Sequence, residues 1–249
     1  MKVDAPYAQG TPCWVELMAP TDQRGALGFY REVFGWTGET GPAEYGGYTM
    51  MLLDGRPVAG IGVTVPRQPP PFWATYLATD AADAVAGRIP GAGGQVLMPP
   101  TDVPTVGRMF LAADPTGGVF GVWQALDFFG AGIVNEPGAW TWNELDTPDA
   151  GAAAPFYADA FGITVRPVTD RPDYRVFTVA DRPVAGLRQG GGAPRWAVYF
   201  AVTDPDATAG AVLRAGGQVV REPEDVPGVG RVAVLVDPQD AEFSVLRPA

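Results

Sequence analysis

The 249-residue chain contains no histidine. The side chain that most often shuttles protons near neutral pH, and most often ligates metals, is therefore missing. Ser-His-Asp and Cys-His nucleophile systems are excluded with it. Cysteine is almost absent: Cys13 stands alone, so no internal disulfide forms and a reducing cytoplasm is the expected compartment. With no His or CxxC partner, Cys13 is not expected to act as a thiolate. No apolar run approaches the length of a membrane span. The opening Met1-Lys2-Val3-Asp4-Ala5-Pro6 lacks the apolar core of a signal peptide. Cationic residues are few, 17 Lys and Arg against 28 Asp and Glu, for a formal net charge of −11. That field repels phosphate backbones and anionic membranes, so neither nucleic acid nor a membrane is an expected partner. It aids solubility and mildly favours cationic ligands. No GxGxxG or P-loop pattern occurs, and Gly190-Gly191-Gly192 leads into Ala193-Pro194 rather than joining a strand to a helix.

What the chain does contain, it contains twice. Trp14-Val15-Glu16-Leu17 returns as Trp142-Asn143-Glu144-Leu145, and Arg56-Pro57-Val58-Ala59-Gly60 returns as Arg182-Pro183-Val184-Ala185-Gly186, an offset of 182 − 56 = 126. Gly93-Gly94-Gln95-Val96 returns as Gly216-Gly217-Gln218-Val219, and Asp114-Pro115 as Asp237-Pro238. A nearly constant offset across the chain means two copies of one unit.

Each copy opens with a short apolar strand, residues 13–19 and 141–146, followed by a helix. Asp22 and Asp149 suit the helix N-termini, where a carboxylate accepts unpaired backbone N–H groups. Ala26, Phe29, Tyr30, Val33 and Phe34 recur at helical spacing, as do Ala153, Phe156, Tyr157, Ala160 and Phe161, and both sets fit a core stripe. Gly35 and Gly162 stand where a helix takes a left-handed stop. Strands follow near 48–52 and 58–63, matched by 174–178 and 184–187. The same order then repeats inside each copy. Strands at 73–77 and 196–202 precede helices opened by Asp80 and by Asp204-Pro205, and further strands follow each helix. The pattern is four βαβββ quarters in two pairs, with Pro-rich 66–71 joining the first two quarters and 125–139 linking the halves.

The run Asp22…Phe29-Tyr30…Phe34-Gly35-Trp36, the Trp73-Ala74-Thr75-Tyr76 strand, Gly93-Gly94-Gln95-Val96, Asp102-Val103-Pro104…Gly107-Arg108 and Asp114-Pro115-Thr116-Gly117 recur in the second half with a few substitutions, among them Ile163 for Trp36, Val198 for Thr75 and Asp240 for Gly117. Together they resemble the vicinal oxygen chelate superfamily, the glyoxalase/bleomycin-resistance/dioxygenase fold, and within it a tandem glyoxalase-like or hydroxylase-labelled subgroup. The resemblance implies an α+β fold in which βαβββ modules form two tandem domains with curled mixed sheets around clefts. The domains are expected at 1–124 (modules about 13–64 and 72–124) and 140–249 (modules about 140–188 and 195–247), with 125–139 between them. This fold hosts isomerases, dioxygenases, thiol transferases and drug binders, so it does not by itself choose a reaction.

The resemblance also implies where metal-using members hold their ion: on the first strand of each module, and on the last strand after an Asp-Pro-x-Gly turn. Those places fall at or beside Trp14, Trp142, Trp73 and Trp196, and at Gly121 and Ser244. An indole offers only an N–H donor, so no metal and no cofactor are expected. Four tryptophans at related places suggest aromatic cleft walls, or else rings that plug the core. Glu16 and Glu144 lie two residues beyond Trp14 and Trp142, on the same strand face. Each is either a half-buried base or counter-ion, or a structural acceptor. Tyr48 and Tyr174, and Tyr76 and Tyr199, are matched hydroxyls that pack or orient a ligand. The expected ligand-binding set is thus Trp14, Glu16, Tyr48, Trp73, Tyr76, Trp142, Glu144, Tyr174, Trp196 and Tyr199, with Glu16 and Glu144 the catalytic candidates. The expected function is metal-free binding of a flat hydrophobic aromatic molecule, an antibiotic or secondary metabolite, by sequestration or as an accessory to its biosynthesis. The alternative is a glyoxalase-like enzyme, with a glutamate base or with metal ligands not recognised in the sequence. A monomer or weak dimer is expected, because duplication supplies a partner within one chain.

Overall fold

The computed structural model describes residues 1–18, 20–42, 46–62 and 70–249. The first half runs β1 (Pro12–Met18), α1 (Gln23–Phe34), β2 (Thr49–Leu53), β3 (Arg56–Ile61), β4 (Phe72–Thr79), α2 (Ala82–Arg88), β5 (Gln95–Val103), β6 (Gly107–Ala113) and β7 (Val119–Ala125). The second runs β8 (Trp140–Thr147), α3 (Ala150–Phe161), β9 (Thr164–Val168), β10 (Arg171–Val179), β11 (Arg182–Gln189), β12 (Arg195–Ala201), α4 (Pro205–Arg214), β13 (Gln218–Val226), β14 (Gly230–Val236) and β15 (Glu242–Pro248). Each half forms one open mixed sheet, in the orders β2-β3-β1-β4-β7-β6-β5 and β13-β14-β15-β12-β8-β11-β10-β9. The modules of a half join through their first strands, β1 antiparallel to β4 and β8 antiparallel to β12. This is the duplicated α+β architecture read from the sequence, with sheets that curl without closing into barrels.

Local chemistry accounts for most element ends. Gly35 and Gly162 take left-handed conformations (φ 72° and 74°) and stop α1 and α3. Asp149 and Asp204 cap their helices, accepting from Ala152 N and from Asp206 N and Ala207 N. Asp22 holds the same position but makes no side-chain capping bond. Gln239 of the second half clasps its backbone instead, accepting from Asp22 N (2.7 Å) and donating to Asp22 O (2.8 Å). Asp80 does not open α2. The helix starts one residue later, from Ala81, and Gln124 Oε1 accepts from Ala82 N at 2.8 Å. The strand expected at 58–63 ends at Ile61. Position 63 and residues 66–69 of the Pro-rich joint lie outside the described residues. The second half has an extra strand, β9, where the first keeps, among the described residues, one bridge, Thr37 to Leu52. Gly38, Gly41, Pro42, Gly46 and Gly47 interrupt the first copy there, and such residues weaken a strand.

The helices bury their apolar stripes across the halves. Phe34 of α1 meets Phe200 at 4.9 Å, and Phe29 meets Phe243 at 6.2 Å. Phe156 and Tyr157 of α3 meet Phe120 at 5.9 and 5.5 Å. One core therefore joins the first and fourth modules, and another the second and third. At roughly 1.5–3 kcal/mol per fully buried large side chain, these rings tie the two sheets together. The expected linker is laid along the first half: Phe128 N donates to Val106 O, Ala131 N to Cys13 O (2.8 Å), and Gly132 N to Pro57 O (2.8 Å). Among the described residues no helix is long and apolar enough to cross a membrane.

Candidate functional site

Strand alternation and register decide which side chains meet. Trp14 and Glu16 share a face of β1, and the antiparallel partner of Trp14 on β4 is Tyr76. Glu16 lies beside Gly60 of β3, and Tyr76 beside Gly121 of β7. The missing side chains make room. A Cβ at Gly60 would overlap the Tyr48 hydroxyl, and one at Gly121 the Tyr76 ring. The phenols can therefore lie across the sheet toward Glu16. The second half repeats the plan. Tyr199 is opposite Trp142, Glu144 lies beside Gly186, and a Cβ at Gly186 would overlap the Tyr174 hydroxyl. Ser244 replaces Gly121 beside Tyr199.

Trp14 Nε1 donates to Tyr48 Oη at 2.9 Å, and Trp142 Nε1 to Tyr174 Oη at 3.1 Å. Glu16 accepts from Tyr76 and Tyr48, and burial pushes its carboxyl up to about 7 against the lowering effect of those bonds. The Tyr76 hydroxyl also lies 3.8 Å from Met18 Sδ. Glu144 accepts from Tyr174 and, at 3.5 Å, from Tyr199. Burial raises its carboxyl too, opposed by Tyr174 and by Arg188. All four phenols are held above their ordinary range by burial and by the neighbouring glutamate, so they remain donors.

Here the copies part. On the first face Phe128 meets Trp14 edge-on at 4.9 Å, and Trp123 Nε1 donates to Phe128 O, leaving Trp14 4% exposed. On the second face Trp142 remains partly exposed beside a cleft of about 370 Å3. The cleft is lined by Trp142, Glu144, Tyr174 and Tyr199, by Val226, Val229, Val232 and Leu246, and by Arg171, Arg188 and Arg221. Arg188 reaches Glu144 at 3.1 Å and Asp146 at 2.6 Å.

The structure brings together eight of the ten expected residues, four on each face. It does not bring Trp73 and Trp196 to them. Trp73 is opposite Leu17 and Trp196 opposite Leu145, one residue out of phase with the glutamates, so both rings point to the other side of their sheets. There each completes a bridge between the halves. Trp73 Nε1 donates to Tyr30 Oη (3.0 Å), which donates to Asp237 Oδ2 (2.9 Å). Trp196 Nε1 donates to Tyr157 Oη (3.0 Å), which donates to Asp114 Oδ2 (3.0 Å). Sequence reasoning placed Tyr30 and Tyr157 in a core stripe and missed these bridges. It also missed the cleft arginines and Phe128. Tyrosines with wet or buried tips look alike in sequence, and no repeat signal marks an arginine that only one copy carries.

The described residues do not fit a catalytic metal. Among the described residues no three His, Cys, Asp or Glu side chains gather to hold one. Among the described residues each face offers one central carboxylate, protonated phenols and an indole N–H, whereas a first-row divalent ion needs several deprotonated N, O or S donors. On the second face the space between Glu144 and Asp146 is taken by the Arg188 guanidinium.

Residues 142–246 match the glyoxalase-like domain family, and residues 15–122 match the Glyoxalase/Bleomycin resistance protein/Dioxygenase superfamily. The chain is 46% identical over 253 residues to CFP32 of Mycobacterium tuberculosis, covering 98% of this chain and 97% of that one. It is 39% identical over 264 residues to the anthracycline biosynthesis protein DnrV of Streptomyces peucetius, covering 96% and 94%. In fold it is similar to the Mn(II)-bound glyoxalase from Novosphingobium aromaticivorans, with a TM-score of 0.68 and 16% identity over 97% of this chain and 84% of that one. The chain belongs to the glyoxalase/bleomycin resistance protein/dioxygenase superfamily, as two tandem domains of that kind.

Proposed function

We propose that the protein binds a flat, hydrophobic aromatic small molecule in the second-domain cleft, without a metal, by sequestration or as an accessory to the molecule's biosynthesis. The observation that carries this reading is the contrast between the duplicated faces. Trp14 is covered by Phe128, whereas Trp142 stands partly open on a cleft of about 370 Å3 with an aliphatic wall. That volume is within the range of small-molecule sites. A planar ligand stacked on Trp142 gains roughly 0.5–1.5 kcal/mol per ring pair beyond its buried area. The similarity to a protein named for anthracycline biosynthesis supports a secondary-metabolite setting. The donor set of each face supports metal-free binding, and one chain, whose halves already cover each other's helical faces, is the proposed functional unit in the cytoplasm.

Titration of intrinsic tryptophan fluorescence with a panel of quinones, aromatic polyketides and dyes tests the proposal. Saturable quenching is expected, with a rise in melting temperature, and both are lost in Trp142→Ala. If no member of the panel quenches or stabilises the protein, the proposal fails.

Glu16 supports a second reading. A carboxyl poised near neutrality, with two phenol donors beside it, is suited to take a proton next to a carbonyl while Tyr48 or Tyr76 donates to the developing oxyanion. Loss of turnover in Glu16→Gln with ligand binding retained would favour this reading over pure binding.

A further inference from the structure

Because the two faces share one plan, what the second has and the first lacks indicates what its cleft is for. The indole, the glutamate, the two phenols and the flanking glycine are common. Among the described residues the difference is cationic. The position of Arg188 corresponds, at 188 − 126 = 62, to Gly62. Arg221 lies opposite Val234 in its hairpin, where the first half has Met98 opposite Leu111. Met18 stands in the first half where Asp146 stands in the second.

Of the three arginines, Arg188 is already committed, to Glu144 and Asp146. The other two are not. The Arg171 guanidinium lies over the Tyr174 ring at 4.1 Å, with no carboxylate at ion-pairing distance among the described residues. Arg221 meets Glu224 at 3.4 Å with both side chains about half exposed, a contact worth little in water. Their strands, β10 and β13, stand near opposite ends of the eight-stranded sheet, whose curl brings both to one cleft. Two guanidiniums thus face the same apolar floor from opposite walls, in a chain whose net charge is −11. A guanidinium presents planar, paired N–H donors that match a carboxylate, and that of Arg171 rests over the Tyr174 ring.

We infer that the molecule taken by this cleft is an anionic aromatic: a flat ring system with a carboxylate or acidic phenol at its edge, held by Arg171 and Arg221 while its body lies against Trp142, Val232 and Leu246. The inference rests on the second cleft being the ligand site. It reverses the preference for cations that the net charge alone suggests, because neighbouring groups outweigh screened distant ones.

The test compares three probes with one ring system: anthraquinone-2-carboxylate, its carboxamide and its aminomethyl analogue, each titrated against the full-length protein by tryptophan quenching. The carboxylate is expected to bind about tenfold more tightly than the carboxamide at low salt, and that ratio should shrink toward about one as ionic strength rises past the Debye screening limit. In Arg171→Gln/Arg221→Gln, shown to be folded by near-UV circular dichroism, the ratio should fall to about one even at low salt. Carboxamide or amine binding as tight as the carboxylate overturns the inference and leaves the cleft as a ligand site. An unchanged ratio in the double variant overturns it as well. If none of the three probes and no member of the wider panel binds, the cleft reading itself is overturned.

Discussion

A carboxyl group at Glu16 is surrounded by an indole, two phenols and a thioether, with no cation beside it among the described residues. Its folded-state value, about 7, exceeds the ordinary 4.5. The folded protein therefore binds a proton more tightly than the unfolded chain. Stability from this site is complete below about pH 4.5 and falls as pH rises toward 7, by on the order of 3 kcal/mol at most. The raised carboxyls of Glu144 and Asp237 add to the same trend. Chemical denaturation of Glu16→Gln across pH 4 to 8 should show a visibly shallower decline than the parent protein, and an identical slope would contradict the assignment. A glycine is the second decisive residue type. Gly186→Ala would drive a methyl into the Tyr174 hydroxyl, so the ring must leave Trp142 Nε1. A loss of roughly 1–3 kcal/mol is expected in urea denaturation, together with weakened quenching by any cleft ligand. The Trp-x-Glu pair and its tyrosines were legible in the sequence because repetition and period-two alternation mark them. Trp73 and Trp196 were misplaced because counting back from a helix start carries an error of one residue, and in a strand one residue changes the face.

At the scale of elements, the quarters, their order and the glycine stops of α1 and α3 follow from apolar spacing and left-handed backbone, both of which leave local marks. The helix start near Asp80 and the cap of Asp22 did not, because the groups that satisfy those backbone atoms, Gln124 and Gln239, are distant in sequence. The segment after β7 is the other element whose role was hidden. Read as a linker, it is a strap whose Phe128 ring covers Trp14 on the first face. Phe128→Ala should expose Trp14 to acrylamide quenching and cost about 1–2 kcal/mol, less than the 3–5 kcal/mol of a fully buried ring. If Trp14 stays as protected as before, Phe128 is not what covers it.

At the scale of the molecule, each domain lends a hydroxyl to the other. Asp237 Oδ1 accepts from Gln239 N and Ala241 N, and Oδ2 from Tyr30. Asp114 Oδ1 accepts from Thr116 and Gly118, and Oδ2 from Tyr157. Tyr30→Phe and Tyr157→Phe should each cost roughly 1–3 kcal/mol, because a buried carboxylate oxygen loses its donor. The two losses should add in the double variant, since the bridges share no residue.

Those bridges are built from interchangeable parts: the tyrosine and the aspartate of either domain both come from the same repeated motifs. A fragment holding only residues 1–124 carries Tyr30 and Asp114, and so owns both halves of the clasp without being able to fasten it to itself. Two such fragments could fasten to each other. The present chain is therefore a pair of like members tied end to end, and the segment that ties them lays Phe128 over Trp14 while Trp142 keeps its partly open place.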